Sequence, residues 1–242
     1  MNCKPLFLGK TAIGERFGTD DVFVFFGNRH FASNEAKRIF PETQLRFLKQ
    51  VHGTTVHEIQ RLPDTERASN LEKDDVTILE GDGSVSMSPG LGLGLYTADC
   101  LPIFLYDSRS GKIAAAHAGW RGLVAGVLHE TVRKMNATPD ALRVWIGPHI
   151  RQQSFEVGAD VADRLAKSSI IGDQAITMHS LDPQKRMVNL TLIAVSQLKS
   201  HAISEKNLWI SSVNTFEDQN YFSYRRDGKT GRLLSFITLL KS

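Results

Sequence analysis

Residues 112–132, KIAAAHAGWRGLVAGVLHETV, read as a strand of small residues, a glycine-bounded turn and an amphipathic helix in direct succession. Leu123, Val124, Val127, Leu128 and Val132 recur at three- and four-residue spacing, which predicts a helix over 123–135 with one apolar face. His117 falls at the strand's end, and residues 119–122 form the turn. Working outward, short apolar or β-branched runs bounded by turn residues predict strands at 22–26, 45–49, 55–59, 76–79, 91–96, 103–106, 143–146, 208–211 and 233–240. Helical periodicity returns at 161–167 and 190–201. The chain is therefore of mixed α/β (α+β) class, and patterning alone is compatible with several topologies. The polar stretches 18–21 and 63–75 read as exposed loops, and neither has the length or bias of an interdomain linker, so residues 1–242 read as one domain.

Composition narrows the function classes. At 242 residues, 41% hydrophobic and 23% charged, the chain is long enough to bury a large core. A net charge of +3, without a run of like charges, does not suggest binding to nucleic acid or a membrane surface. No segment reaches the roughly 18 apolar residues that span a bilayer, and the first residues do not read as a secretion signal. Two cysteines, Cys3 and Cys100, offer no disulfide framework and fit a reducing, cytoplasmic setting.

Chemistry-bearing residues concentrate in three segments. In GLGLGLYTADCLPIF (90–104) an apolar strand reaches Asp99 and Cys100 and is expected to break at Pro102, which cannot donate to a central ladder. In the 112–132 segment, His117 precedes a helix start whose free N–H groups, with Arg121, suit an anion such as phosphate. In FLKQVHGTTVHEI (47–59), His52 sits just before Gly53 in a tight connection, while His57 is expected to face solvent. Two imidazoles and a thiolate make a three-ligand catalytic zinc site with a fourth position open, and the same donors accept copper. The bland alternative is a buried thiol and two core histidines, since separations of 48 and 17 positions force nothing together. Asp82, in GDGSVS, and Asp99 are candidates to orient the ligating imidazoles, or else turn residues.

HGTTV, YTADCLPI, AAAHAGWRG, WIGPHI, FEVG and SYRRDGKTGR, in this order, resemble the laccase-domain family, also called multicopper polyphenol oxidases, whose members have been reassigned as purine nucleoside phosphorylases. The likeness covers about residues 45–155 and returns at 222–238. It implies that His52, Cys100 and His117 bind the metal, zinc or copper. It also implies mixed β-sheets packed as a sandwich and flanked by helices, a fold related to that of bacterial toxin deamidases. Gly27-Asn28-Arg29 matches the family's anion-binding T-x-R segment in part, which makes Arg29 a phosphate-binding candidate. IGPH stands where many members have IGPC, so His149 replaces a second thiol.

The substrates this resemblance implies are adenosine, inosine and methylthioadenosine with inorganic phosphate, with adenosine deamination as a side activity, in a monomer or homodimer. Two other chemistries remain open. One is a copper-dependent polyphenol oxidase, although eight histidines without an H-x-H pair supply little for a multicopper cluster. The other is a metal-free cysteine hydrolase with Cys100 as nucleophile and His117 as its base. His52 discriminates, because a Cys-His pair has no need of a second imidazole.

Overall fold

In the computed structural model, which describes residues 6–11, 13–19, 21–31, 35–36, 40–41, 43–61 and 79–240, the strands form three sheets. The first runs β1 (Leu6–Thr11), β2 (Gly14–Gly18), β3 (Val22–Gly27), β15 (Leu233–Leu239), β7 (Leu91–Thr97), β4 (Gln44–Arg46). The second runs β14 (Leu208–Ile210), β10 (Leu142–Ile146), β8 (Leu101–Asp107), β9 (Ile113–Ala118), β6 (Gly83–Ser86), β5 (Val56–Glu58). The third, small one is β11 (Glu156–Gly158), β13 (Lys185–Val188), β12 (Ile176–Met178).

Side-chain alternation explains the layering. Along β8, Phe104 and Tyr106 enter one apolar cluster with Phe17, Val24, Phe26, Leu91, Leu93, Leu95 and Ile237 of the first sheet. Leu101, Ile103 and Leu105, of opposite parity, enter another with residues of the helices. The second sheet is thus covered on both faces, by a sheet on one side and helices on the other, which accounts for its near-continuous apolar strands. The mixed sandwich flanked by helices is the architecture expected. The Gly-Leu alternation of β7 has a steric cause: a Cβ at Gly94 would lie 2.1 Å from the Phe47 ring, and one at Gly92 would lie 2.5 Å from Leu45. Leucines fill the sandwich interior while the glycines let the 43–47 segment lie flat on the outer face.

The helices are α1 (Trp120–Ala125), α2 (Val127–Met135), α3 (Ala159–Lys167), α4 (Leu190–Ser200) and the single turn α5 (Tyr224–Asp227). The helix expected over 123–135 is two helices. It starts three residues earlier, at Trp120, and breaks at Gly126, whose φ of 97° caps α1 with a left-handed residue. The expected break at Pro102 does not occur, because β8 runs through it. Pro102 faces β10 where that strand ends, accepting from Gly147 N at 2.9 Å, so only one ladder donor is lost, at the sheet's rim. Strands β1, β2, β6 and β11–β13 were not anticipated; most are short or lack a clean alternation. The strand expected at 76–79 and the loop at 63–75 lie outside the described residues, apart from Leu79.

Candidate metal centre and cleft

Sheet register brings the distant residues together. Leu101 pairs with Ala118 and Pro102 with His117, so Cys100, one residue before β8, meets the end of β9. On the other side of β9, Gly83 pairs with Ala116, and the ladder continues one step as His117 N donates to Asp82 O at 2.7 Å. Asp82, just before β6, is therefore His117's cross-strand neighbour, and its carboxylate accepts from His117 Nδ1 at 2.7 Å. That bond puts the proton on Nδ1 and leaves Nε2 for the cluster.

The same carboxylate builds the His52 turn. Its Oδ1 accepts from His52 N at 3.0 Å, and its Oδ2 accepts from Val51 N at 3.1 Å and Gly53 N at 2.7 Å. Three successive amides converging on one fully buried carboxylate hold His52 at a φ of 60°, a left-handed conformation costly for a residue with a Cβ. Gly119 completes the arrangement, since a Cβ there would lie 2.9 Å from Cys100 Sγ and 3.1 Å from His52 Cδ2.

His52, Cys100 and His117 offer one ligand atom each, all within 4.8 Å of one another. Donors about 2.0–2.3 Å from a zinc ion in tetrahedral array stand about 3.3–3.8 Å apart, so the three close on an ion with small side-chain adjustments. The donor set fits zinc or copper. Among the described residues this is the one group of His, Cys, Asp and Glu so arranged.

Burial alone would push the Cys100 thiol up, but hydrogen bonds and charge from His117 and His52 bring it down to about 6. Burial would lower His117, yet the Asp82 carboxylate and Cys100 raise it to about 9. Asp82 is held below its ordinary value, with burial opposed by His117 and the amides of Gly53 and Val51. The cluster is thus poised as thiolate and imidazolium in the absence of a metal.

The cluster lines a cleft of about 550 Å³, whose walls also include Asp99, Trp120, Arg121, Phe155, Arg225 and Arg232. Asp99, buried and with a φ of 85°, accepts from Thr215 Oγ1 and from Arg225 N, each at 2.7 Å. Its carboxylate ties the Cys100 turn to α5 and does not reach an imidazole. Arg121 stacks its guanidinium 4.5 Å from the Trp120 ring centroid. Arg29 is not among the cleft-lining residues; its guanidinium donates to Gln219 O at 2.8 Å and lies over Phe222. His149 is fully buried between Gly147 O and Thr191 Oγ1, away from the cluster. Arg225 and Arg232 stand in the SYRRDGKTGR segment that carries the resemblance, and Gly119 in the turn before the helix, but none of the three was assigned a role in the site from sequence.

A two-sheet sandwich with a three-donor His/Cys/His cluster opening on a cleft defines a class of candidate single-ion metalloproteins. Residues 19–240 match the family described as multi-copper polyphenol oxidoreductase laccase, and the chain belongs to that family. A purine nucleoside phosphorylase of Pseudomonas aeruginosa is 36% identical over 82% of this chain and 75% of its own length. The purine nucleoside phosphorylase YfiH of Escherichia coli is 32% identical over 88% of this chain and 83% of its own. Among solved structures, a Bacillus licheniformis protein, also called YfiH, superimposes with a TM-score of 0.78 at 27% identity, covering 91% of this chain and 93% of that one. YlmD of Geobacillus stearothermophilus shares the fold, with a TM-score of 0.82 at 24% identity over 98% of this chain and all of that one. Among the described residues, no helix is long and apolar enough to cross a membrane.

Proposed function

We propose that this chain is a purine nucleoside phosphorylase acting on adenosine, inosine and methylthioadenosine with inorganic phosphate, with adenosine deamination as a side reaction. The names of its relatives point to the activity. The observation that carries the reading is the three-donor cluster within 4.8 Å, opening on a cleft that also holds Arg121.

In the reaction a phosphate oxygen forms a bond to ribose C1′ as the bond from C1′ to the purine nitrogen breaks, and the departing base takes up a proton. The products are the free base and ribose 1-phosphate, or, from methylthioadenosine, 5-methylthioribose 1-phosphate. Arg121 binds the phosphate, its planar fork supplying bidentate donors. Leu48, Trp120, Ile150 and Phe155 line the cleft with apolar surface and limit water. Asp82 fixes His117 Nε2 and the His52 turn so that both imidazoles face the same point. A bound zinc or copper ion would supply Lewis acidity at its open position.

Metal content and release of free base from adenosine and inosine, with and without phosphate, test the reading. About one ion per chain, lost in Cys100→Ala together with phosphate-dependent base release, is the expected result. A second reading, a metal-free cysteine hydrolase, is favoured by the chain Asp82, His117, Cys100, which is that of an orienting carboxylate, a base and its nucleophile. Metal-free protein that needs Cys100 but not His52 would transfer the assignment to it.

A further inference from the structure

Three arginines, Arg121 on α1, Arg225 on α5 and Arg232 just before β15, line the same cleft. They reach it from separate elements, and no described carboxylate pairs with any of them. Arg121 has a described partner only in the Trp120 ring face. Arg225 Nη1 donates to Glu156 O at 2.7 Å and its guanidinium lies over Phe155, 5.1 Å from the centroid. Arg232 Nη1 donates to the carbonyls of Thr230 and Gly231, each at 3.0 Å. Carbonyls and ring faces hold these groups in place without neutralising them, and part of each guanidinium edge is left free.

The nearby acid does not compensate. Asp99 lines the cleft, but its Oδ1 is taken by Thr215 and its Oδ2 by the Arg225 amide. It spends its charge on holding the turn that carries Arg225. Elsewhere the exposed pairs Lys49–Glu80, Arg133–Glu130 and Lys199–Glu205 show cations matched locally. A cleft with three cations that no described carboxylate pairs and its one carboxylate already engaged suits an oxyanion of charge near −2, and arginine is the side chain best matched to a phosphate's edges.

We propose that Arg121, Arg225 and Arg232 form the seat for free inorganic phosphate in the cleft they share with the His52/Cys100/His117 cluster, with Asp99 as the positioning residue for Arg225. The proposal rests on the phosphorylase reading and adds Arg225, Arg232 and Asp99 to it.

The test uses the metal-loaded full chain, with inorganic phosphate titrated calorimetrically and KM measured separately for phosphate and inosine. Arg225→Gln and Arg232→Gln are each expected to raise the phosphate Kd and KM by roughly 10-fold or more, with metal content and the inosine KM held within about twofold. Arg225→Lys is expected to recover only part of the loss, because the fork is gone. Should Arg225→Gln fail to fold, Arg232→Gln carries the test, since its described bonds are to its own turn. Wild-type phosphate affinity in Arg232→Gln and in folded Arg225→Gln, with phosphorolysis intact, overturns the seat and leaves the phosphorylase reading standing. Phosphate binding that depends on these arginines, in a protein that releases no base from any nucleoside, does the reverse. A nucleoside 5′-monophosphate provides the second arm: if its affinity alone falls in the variants, the anion is a substrate's own phosphate and the inorganic source is wrong.

Discussion

Asp82→Asn changes one atom and should disable the centre. Each oxygen of Asp82 takes two donors: Oδ1 the His52 amide and His117 Nδ1, Oδ2 the amides of Val51 and Gly53. An amide side chain has one acceptor end, so its NH2 must face two N–H groups whichever way it is turned. Turned towards Val51 and Gly53, it orphans two amides and releases the turn that holds His52 at a φ of 60°. Turned the other way, it orphans the His52 amide and drives the His117 proton to Nε2, the atom needed for a ligand. Two unsatisfied donors at about 1–3 kcal/mol each, partly relieved by water at the exposed turn, give an expected loss of about 2–4 kcal/mol in the metal-free protein. Loss of the orienting carboxylate should weaken metal binding about 10- to 100-fold. Chelator competition for zinc and denaturant unfolding of the metal-free protein measure the two separately. The carboxylate also makes stability depend on pH: its folded value is depressed, so its contribution is present at neutral pH and lost as pH falls through that value. Wild-type zinc affinity in Asp82→Asn, with metal-free stability within about 0.5 kcal/mol of wild type, would refute the reasoning.

Further outcomes follow from the same geometry. Cys100, brought down to about 6, should alkylate in the metal-free protein with a rate midpoint near that pH rather than near 9; His117→Ala should move the midpoint up, and zinc should block the reaction. His117, raised to about 9, is protonated at pH 7.5, so zinc uptake there should release about one proton from it, read from the buffer dependence of the binding enthalpy. Gly119→Ala should cost metal affinity by at least about 10-fold at little cost in circular dichroism signal, because its Cβ would meet Cys100 and His52 side chains. Arg29→Ala should leave the phosphate KM within about twofold, since the guanidinium is engaged with Gln219 and Phe222 outside the cleft; a rise of about 10-fold would restore Arg29 to the phosphate site.

Where the apolar pattern was long, the fold could be read from the chain. Leu91–Thr97, Leu142–Ile146 and Leu190–Ser200 form close to their expected limits because their side chains commit to one layer. What escaped had local causes that patterning does not encode. Gly126 is one glycine within a helical period, and only its left-handed backbone reveals that it ends one helix and begins another. Pro102 reads as a terminator, yet a proline is tolerated in β8 because the neighbouring strand stops opposite it. Short strands such as β6 and β11 are specified by their neighbours' hydrogen bonds more than by their own residues.

The candidate site was legible in kind and illegible in arrangement. Donor chemistry pointed to His52, Cys100 and His117, but only the register of β8, β9 and β6 explains why they meet: Cys100 and His117 flank paired strand ends, and Asp82 is the next rung beyond His117. Asp82 sits between glycines and reads as an ordinary turn residue. It serves that role too, because its oxygens shape the 51–53 turn, so the turn and orienting readings describe one group doing both. The arginines were hidden for the opposite reason. Arg225 and Arg232 lie more than a hundred positions from the cluster, in a polar segment whose spacing carries no periodic signal. Arg225 reaches the cleft because Asp99, next to a metal-ligand candidate, accepts from its amide and ties α5 to the Cys100 turn. A single buried carboxylate thus organises each turn, Asp82 the one that carries His52 and Asp99 the one that carries Arg225, and neither would take shape from the apolar core alone.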